Sequence, residues 1–268
     1  RLATDQEVLG SNPSKRTRRF LVQILAGAKY KNMNNFKSIS ITFPLYKDKR
    51  TVKKMISRSI KVLKETKKKY EIVIVDDGCP DKSGLVAKKI SKNYKNVKVI
   101  FHKKNLGYGA AVKTGLRNCK NEWIFQTDGD AEYDVYDLKK LLKASKNSDL
   151  VITYRFKKKY KTSRIIISWI YNIILRTLFK TKFRDISTGS RLIKKALVNK
   201  IKLTSNSPFV GAELAIKSKY RGFKVNEIGI HTYPRTFGTG SSVSFNNIVL
   251  TIKDMLKLYL KVKILNEK

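Results

Sequence analysis

Three carboxylates with a regular spacing are the residues of this chain that most directly suggest chemistry. Asp128, Asp130 and Glu132 occupy alternate positions just after residues 123–125, an apolar run that predicts a short buried strand. If the extended conformation continues past the strand, the three side chains lie on one side, and like charges that close repel. Mg²⁺ or Mn²⁺ takes oxygen ligands and often bridges carboxylates to substrate phosphates, so the spacing predicts a metal site. The alternative is an acidic turn in which Gly129 supplies the bend.

The surrounding pattern predicts the elements that position these carboxylates. Apolar runs typical of strands alternate with segments that have apolar residues at helical spacing. The predicted strands are 39–43, 71–75, 97–101, 123–125 and 149–154, and the predicted helices are 51–68, 83–93, 109–118 and 134–146. Single helices between consecutive strands indicate right-handed crossovers and a parallel sheet covered on both faces. We therefore expect an α/β fold whose ligands bind beyond the carboxyl ends of the strands.

Polar and small residues follow four of these strands at that same edge. In chain order they are Pro44, Tyr46 and Asp48, then Asp76 and Asp77, then Asn105, Gly107 and Gly109, and finally Asp128 and Asp130. Turn and capping chemistry explains Asp81 and Ser83. A helix cap needs one acid, however, and the adjacent Asp76 and Asp77 provide two. A carboxylate here can accept a hydrogen bond from a nucleotide base or a ribose hydroxyl, so the four loops together favour a ligand site.

Composition limits the classes of protein. With 268 residues, 41% apolar and 10% aromatic, the chain can form a substantial globular core. Its formal net charge of +39 fits nucleic acid, an anionic membrane surface, or a solvated lysine coat in a Lys-, Ile- and Asn-rich sequence. The basic residues are spread along the whole chain, which argues against a nucleic-acid-binding protein. Cys79 and Cys119 have no metal-type spacing and indicate a reducing compartment.

The sequence contains no run of roughly 18 uncharged apolar residues that would span a membrane. The most apolar stretch, residues 164–180, carries a polar residue at every fourth position: Arg164, Ser168, Asn172, Arg176 and Lys180. On a helix these residues form one narrow stripe with apolar surface around the rest. The segment is either a core helix or an interfacial helix whose basic residues reach lipid headgroups, and we favour the interfacial helix. Residues 245–262 repeat this pattern with lysines spaced by four.

Four motifs resemble, in order and spacing, family 2 glycosyltransferases of GT-A fold, especially enzymes similar to dolichol-phosphate-mannose synthase. They are residues 43–48 (FPLYKD), 73–81 (VIVDDGCPD), 105–111 (NLGYGAA) and 127–130 (TDGD). The resemblance implies a Rossmann-like GT-A fold, with a mostly parallel sheet flanked by helices, and a sugar-nucleotide donor. It also implies that the base and ribose are framed by Pro44, Tyr46, Asp48 and Asp76. Asp128 and Asp130 would be the metal-binding pair, and Glu132 stands where relatives often carry Gln.

Two candidate phosphate ligands come from looser matches in the second half. Residues 151–155 (VITYR) resemble a family strand that ends in Ser-Arg-Tyr, which makes Arg155 one candidate. Residues 234–241 (PRTFGTGS) resemble a late basic loop with the pattern Arg-x-x-Gly-x-Ser, from which Arg235 and Gly238 transfer. Forked guanidinium groups suit phosphate oxygens.

A further segment resembles the family with a local departure. Residues 184–191 (RDISTGSR) are similar to Asp-x-x-Ser-Gly-Phe-Arg, but Ser190 replaces the aromatic residue and Gly189 falls one position later. Residues 209–213 (FVGAE) resemble a family helix.

The predicted activity is an inverting, metal-dependent transfer of a mannose- or glucose-type sugar from a nucleotide diphosphate to a polyprenyl or dolichyl phosphate. The predicted nucleotide-sugar site comprises Pro44, Tyr46, Asp48, Asp76, Asp77, Asn105, Gly107, Asp128, Arg155 and Arg235. The predicted catalytic residues are Asp128, Asp130, Arg155, Arg235, Asp185 and Glu213. The alternative acceptor is a hydroxyl of a glycan or lipid, which requires a general base, and Asp185 and Glu213 are the candidates.

The expected location is the cytoplasmic face of a membrane, with peripheral attachment through positive charge on anionic lipid. The resemblance also leaves room for an integral-membrane partner subunit, and no nucleic-acid partner is expected. We predict three regions: a loosely ordered extension at residues 1–36, a glycosyltransferase domain at 37–244, and a basic amphipathic helix at 245–268.

Overall fold

The computed structural model describes residues 36–156, 162–234 and 244–264. Within these residues one sheet has the strand order β3-β2-β1-β4-β6-β5-β7. Its strands are β1 Ser38–Leu45, β2 Lys69–Asp76, β3 Val97–Phe101, β4 Trp123–Gln126, β5 Leu150–Arg155, β6 Arg191–Lys194 and β7 Val225–Ile230. The helices are α1 Val52–Thr66, α2 Ser83–Ser91, α3 Tyr108–Asn118, α4 Leu138–Ala144, α5 Thr162–Phe179, α6 Lys195–Lys200, α7 Val210–Tyr220 and α8 Phe245–Tyr259. The predicted α/β fold with a mostly parallel sheet is therefore confirmed.

The first half of the sheet follows the sequence pattern closely. Strands β1, β2, β3 and β4 pair in parallel, and the apolar runs of β1, β2 and β4 are buried, whereas β3 lies at the edge of the sheet with Phe101 43% exposed. Helix α1 shows why the periodicity works, since Val52, Met55, Ile56 and Leu63 all point into the core. The predicted helix at 134–146 begins instead as a 3₁₀ turn, where the Asp134 side chain accepts from the Tyr136 N–H, and α4 then starts at Leu138.

Strand β6 departs from the parallel arrangement that the crossover pattern predicts. It runs antiparallel to both β4 and β5, and Gln126 at the end of β4 pairs with Arg191 at the start of β6. The position of β6 between β4 and β5 matters for the site, because it places the segment before β6 beside the residues that follow β4. Two stretches more than fifty residues apart in sequence thus meet at one edge of the sheet.

Helices α5 and α8 share the core and expose apolar surface outward. Leu175 and Phe179 of α5 are buried with Met255 and Leu258 of α8 in one hydrophobic cluster. The exposed large apolar residues of α5 are Ile166, Ile167, Trp169, Ile170 and Ile174, and those of α8 are Phe245, Ile248, Val249, Leu250, Ile252 and Leu256. No helix among the described residues is long and apolar enough to cross a bilayer.

Two residues of the predicted polar stripe of α5, Ser168 and Asn172, face the body of the protein. Asn172 is 4% exposed, donates to Asp185 and accepts from the Ile186 N–H at 3.0 Å. Ser168 accepts from Arg155. These two stripe residues therefore hold the helix to the body of the protein, and apolar side chains face away from it.

Candidate functional site

The loops at the carboxyl edge of the sheet surround a cavity of about 560 Å³. The predicted site residues that line it are Pro44, Tyr46, Asp48, Asp77, Asn105, Gly107, Asp128, Asp130, Glu132 and Arg155. Asp76, Asp185 and Glu213 do not line it, and Arg235 lies outside the described residues. The structure therefore brings together residues from the loops after β1 through β4 and from the end of β5.

Asp128 is a buried carboxylate of the cavity that its neighbours hold in place. The Tyr108 hydroxyl donates to its Oδ1 at 2.7 Å, and a Cβ added to Gly189 would overlap its carboxylate. Burial, followed by the negative charge of Asp130, raises the pKa of Asp128 to about 7 from its usual 3.8. Burial is thus the main cause of the raised pKa, and the neighbouring carboxylates Asp130 and Glu132 add to it.

The turn after Asp128 is fixed by the loop after β1. The Thr51 hydroxyl donates to the Gly129 carbonyl at 2.9 Å, and a Cβ at Gly129 would lie 2.6 Å from the Pro44 carbonyl oxygen. Only glycine fits such a close backbone approach. In the next turn, Asp130 Oδ1 accepts a hydrogen bond from the Glu132 N–H at 2.9 Å. The turn that Gly129 provides thus exists, and it presents carboxylates to the cavity.

The oxygen-rich edge could hold a hard cation only with help from a ligand. Asp128, Asp130 and Glu132 all line the cavity, yet no group of three His, Cys, Asp or Glu side chains in the described part of the chain is arranged to bind a metal by itself. Mg²⁺ sites are commonly completed by waters and substrate phosphates rather than by an all-protein cage. The residues present fit that open kind of site.

The adjacent acids Asp76 and Asp77 have separate tasks. Asp77 accepts from the Leu106 N–H at 2.9 Å, the Gly107 N–H at 3.0 Å and the His102 Nδ1 at 2.7 Å. It thereby shapes the loop after β3 while it lines the cavity. Asp76 instead accepts from the Cys79 N–H and lies against Gly84 in the first turn of α2. A carboxylate is stabilised there by the helix N-terminus, and the predicted base or ribose contact of Asp76 has no support from its position.

Arg155 reaches the cavity in a fixed orientation. Its Nε donates to Asp185 Oδ2 at 2.7 Å, its Nη2 donates to Asp185 Oδ1 at 3.1 Å, and Ser187 accepts from the same Nη2. Both side chains of the pair are buried. The forked geometry is the strong form of an arginine–carboxylate contact. Asp185 is therefore occupied as the partner of Arg155, which argues against its predicted role as a general base.

Glu213 is placed away from the cavity. Its carboxylate accepts from the N–H groups of Thr204 and Ser205 and from Lys217 Nζ, the last at 2.6 Å. It is 1% exposed and does not line the cavity. The predicted role as a base is thus opposed by geometry, because its contacts secure the loop before α7 and pair it with Lys217 of the same helix.

Several cavity residues were not predicted from the sequence. Tyr108 contacts Asp128, Tyr133 accepts from the Gly189 N–H at 3.0 Å, and Arg191 lies in the cavity wall. Gly189 carried a usable signal, because glycine at a motif position often marks a close approach. Its one-position displacement from the family pattern obscured that signal. The position of Arg191 in the cavity wall depends on the antiparallel pairing of β6, which the sequence pattern did not predict.

The overall fold is that of GT-A glycosyltransferases. Glucosyl-3-phosphoglycerate synthase from Mycobacterium tuberculosis, solved with phosphoglyceric acid, matches with a TM-score of 0.67 at 13% identity, over 87% of this chain and 82% of that one. The same enzyme solved with Mn²⁺, uridine diphosphate and phosphoglyceric acid matches with a TM-score of 0.66 at 12% identity, over 88% and 80%. A further structure of it contains Mg²⁺ and uridine diphosphate.

The chain belongs to glycosyl transferase family 2, whose profile matches residues 40–202, and it is a glycosyltransferase. The undecaprenyl-phosphate 4-deoxy-4-formamido-L-arabinose transferase of Pectobacterium atrosepticum is 23% identical over 84% of this chain and 68% of its own length. The dolichol-phosphate mannosyltransferase of Pyrococcus furiosus is 29% identical over 75% of this chain. The match spans 56% of that mannosyltransferase, little more than half its length.

Proposed function

We propose that this glycosyltransferase moves a sugar from a nucleotide diphosphate to a polyprenyl phosphate, with inversion and with a divalent cation, at the cytoplasmic face of a membrane. The observation that carries the proposal is the crowding of Asp128, Asp130 and Glu132 in a cavity that four sheet-edge loops surround. Both relatives described above are named for transfer to a lipid phosphate, undecaprenyl in one and dolichol in the other.

Asp128 and Asp130 would hold the cation, with Glu132 beside them. When bound, Mg²⁺ or Mn²⁺ would neutralise negative charge that develops on the departing nucleotide diphosphate. Tyr108 keeps the Asp128 carboxylate in place, and Gly189 leaves the space that this carboxylate occupies. Crowded acids repel, and a cation is the simplest partner that relieves the repulsion. The structures of glucosyl-3-phosphoglycerate synthase with Mn²⁺ or Mg²⁺ and uridine diphosphate support this use of the fold.

The nucleoside would lie between the loops after β1, β2 and β3. Pro44, Tyr46 and Asp48 line one side of that part of the cavity, and Asn105 and Gly107 line another. Tyr46 is 37% exposed and offers a ring face for a base. Asp77 fixes the loop that carries Gly107, so the backbone is ordered before a ligand arrives.

The contacts made by the two candidate general bases are consistent with a phosphate acceptor. A phosphate is already anionic near neutral pH and can attack without a base, whereas a hydroxyl needs one. The two carboxylates predicted for that task, Asp185 and Glu213, are engaged by Arg155 and by the loop before α7. This difference favours a polyprenyl phosphate over a glycan or lipid hydroxyl.

The outer faces of α5 and α8 would attach the enzyme to the bilayer. Trp169 of α5 is 59% exposed and Phe245 of α8 is 79% exposed, in company with the exposed Ile, Leu and Val residues of the same helices. Contiguous apolar surface of this kind marks a binding face, and a net charge of +39 would add attraction to anionic lipid. Ser244 and Asn247 at the start of α8 line the cavity, so this helix borders the site.

Transfer is tested with radiolabelled sugar nucleotides, membranes and Mn²⁺ or Mg²⁺. We expect one donor to give label that extracts with lipid, and Asp130→Asn to reduce that transfer at least 100-fold, the scale of a lost charge-stabilising group. Asp134→Asn is the matched control, because Asp134 pairs with Arg58 outside the cavity. The proposal fails if no donor labels lipid, or if Asp130→Asn transfers as fast as the wild type.

Membrane attachment is tested separately by flotation with anionic liposomes. Ile166→Glu together with Ile170→Glu should reduce bound protein about tenfold or more, since both side chains are about half exposed and would enter the interface. Asn93→Glu, an exposed polar position outside α5 and α8, controls for added negative charge. Equal flotation of the folded double variant and the wild type would remove the membrane role from α5.

A further inference from the structure

An arginine buried in the cavity wall has no carboxylate partner within the described part of the chain. Arg191 is 3% exposed, begins β6 opposite Gln126, and lines the cavity. Its Nη2 donates to the Thr188 carbonyl, while its buried Nε has no hydrogen-bond partner. Burying a cation is costly unless an anion and hydrogen-bond acceptors compensate it. The side chain is thus built into the wall and makes no ion pair with any of the described residues.

The first turn of α7 approaches the same guanidinium group. Gly211 is the second residue of α7, and an added Cβ there would overlap the Arg191 guanidinium. Gly211 and Pro208 line the cavity as well. A helix N-terminus carries partial positive charge and favours phosphate groups. The acid of this turn, Glu213, is directed at the loop before α7, so it does not serve as the counter-ion of Arg191.

Arg191 also lies within electrostatic range of the acidic residues. Arg191 and Asp128 both line the cavity, and Gly189, which packs against the Asp128 carboxylate, precedes Arg191 by two residues. A group bound next to Asp128 therefore experiences the field of Arg191. A phosphate group is the ligand chemistry that suits both neighbours, because it accepts from a guanidinium and shares a cation with carboxylates.

We propose that Arg191 and the first turn of α7 form a phosphate-binding subsite of the cavity. The subsite differs from Arg155, whose charge is already matched by a forked contact with Asp185. This inference rests on the proposed function, in which two phosphate sources exist: the nucleotide diphosphate and the lipid phosphate. The shared chemistry is a phosphate oxygen that accepts from Arg191, and the experiment separates the two sources.

Binding is measured by calorimetry in saturating Mn²⁺ with two sets of probes. The first set pairs UDP and GDP with uridine and guanosine, and the second is geranyl phosphate with geraniol as its phosphate-free match. In Arg191→Gln we expect one phosphate-bearing probe to bind about 10- to 100-fold more weakly, the scale of lost charge-assisted hydrogen bonds. The nucleosides and geraniol should bind as to the wild type. A loss in the first set assigns the subsite to the donor, and a loss in the second assigns it to the acceptor.

A second variant keeps the charge and moves the side chain. Gly211→Ala should displace the guanidinium, because the atom that its Cβ would meet is the end of a flexible side chain. The same phosphate-bearing probe should bind more weakly to Gly211→Ala than to the wild type. This measurement tests the subsite even if Arg191→Gln does not fold. Arg221→Gln, an exposed arginine, is the control for loss of one positive charge at the surface.

The outcomes separate this inference from the proposed function. If the wild type binds a nucleotide or geranyl phosphate and both folded variants bind it equally well, the subsite is overturned and the function stands. If Mn²⁺ affinity alone changes in the variants, Arg191 serves the acidic residues and the subsite is likewise overturned. If the wild type binds none of the phosphate probes, the proposed function fails, and the subsite with it.

Discussion

Two walls of one cavity carry opposite charge and are stabilised in different ways. The acidic wall, defined by Asp48, Asp128, Asp130 and Glu132, follows β1 and β4, and close backbone packing around Gly129 fixes it. The basic wall, defined by Arg155 and Arg191, comes from β5 and β6. The acids crowd one another, whereas Arg155 pairs with Asp185 and Arg191 makes no ion pair within the described part of the chain. The contrast agrees with the proposal that a cation binds on one side of the cavity and a phosphate on the other.

Breaking the paired arginine of the basic wall should have the largest effect. Asp185→Asn leaves Arg155 buried without a carboxylate, and we expect a loss of about 3–5 kcal/mol in the free energy of unfolding. Chemical denaturation measures it. The double variant Asp185→Asn with Arg155→Gln should recover part of this loss, since no charge is then left uncompensated. A single variant as stable as the wild type would show that the pair is not a structural feature of this wall.

On the acidic wall, Gly189→Ala should reduce transfer about 100-fold. The new Cβ overlaps the Asp128 carboxylate, which must rotate away and lose its contact with Tyr108. Gly222→Ala is the control, because it has open space around it and costs stability only through its positive φ of 75°. If Gly189→Ala retains full activity and metal affinity, the close packing against Asp128 has no functional role.

The smallest expected effect is on the pH dependence of stability, which should come from the acidic wall. The pKa of Asp128 in the metal-free fold, about 7, lies above its usual 3.8, so protonation favours the folded state. The stability from this group is present below about pH 4 and is lost as pH rises through 7. Thermal unfolding in EDTA from pH 5 to pH 8 should thus show a steeper decline for the wild type than for Asp128→Asn. Parallel curves would contradict the crowding of the acids.

The sequence predicted the acidic wall better than the basic one for a physical reason. Asp128 and Asp130 follow a strand whose apolar run is evident, and carboxyl ends of parallel strands meet at one edge. Arg191 and Gly189 depend on β6, a four-residue strand that runs against the others. Local periodicity holds little information about so short an insertion, because its direction is decided by pairing with β4 and β5.

The helix α5 shows the same limit. Two residues of its predicted polar stripe, Ser168 and Asn172, face the body of the protein, which the spacing alone did not reveal. Asn172 faces inward because its partners, Asp185 and the Ile186 N–H, lie beyond the end of the helix in a segment that returns to the cavity. Hydrogen bonds between distant segments overrode the usual rule that the polar side of a helix faces water.

Nucleotide diphosphate binding with and without Mn²⁺ tests the central claim most directly. Calorimetry with UDP and GDP should find tight binding of one nucleotide to the wild type in Mn²⁺, a loss of at least tenfold in EDTA, and no dependence on Mn²⁺ in Asp130→Asn. Equal affinity of the wild type in Mn²⁺ and in EDTA would contradict a cation held by the acidic wall.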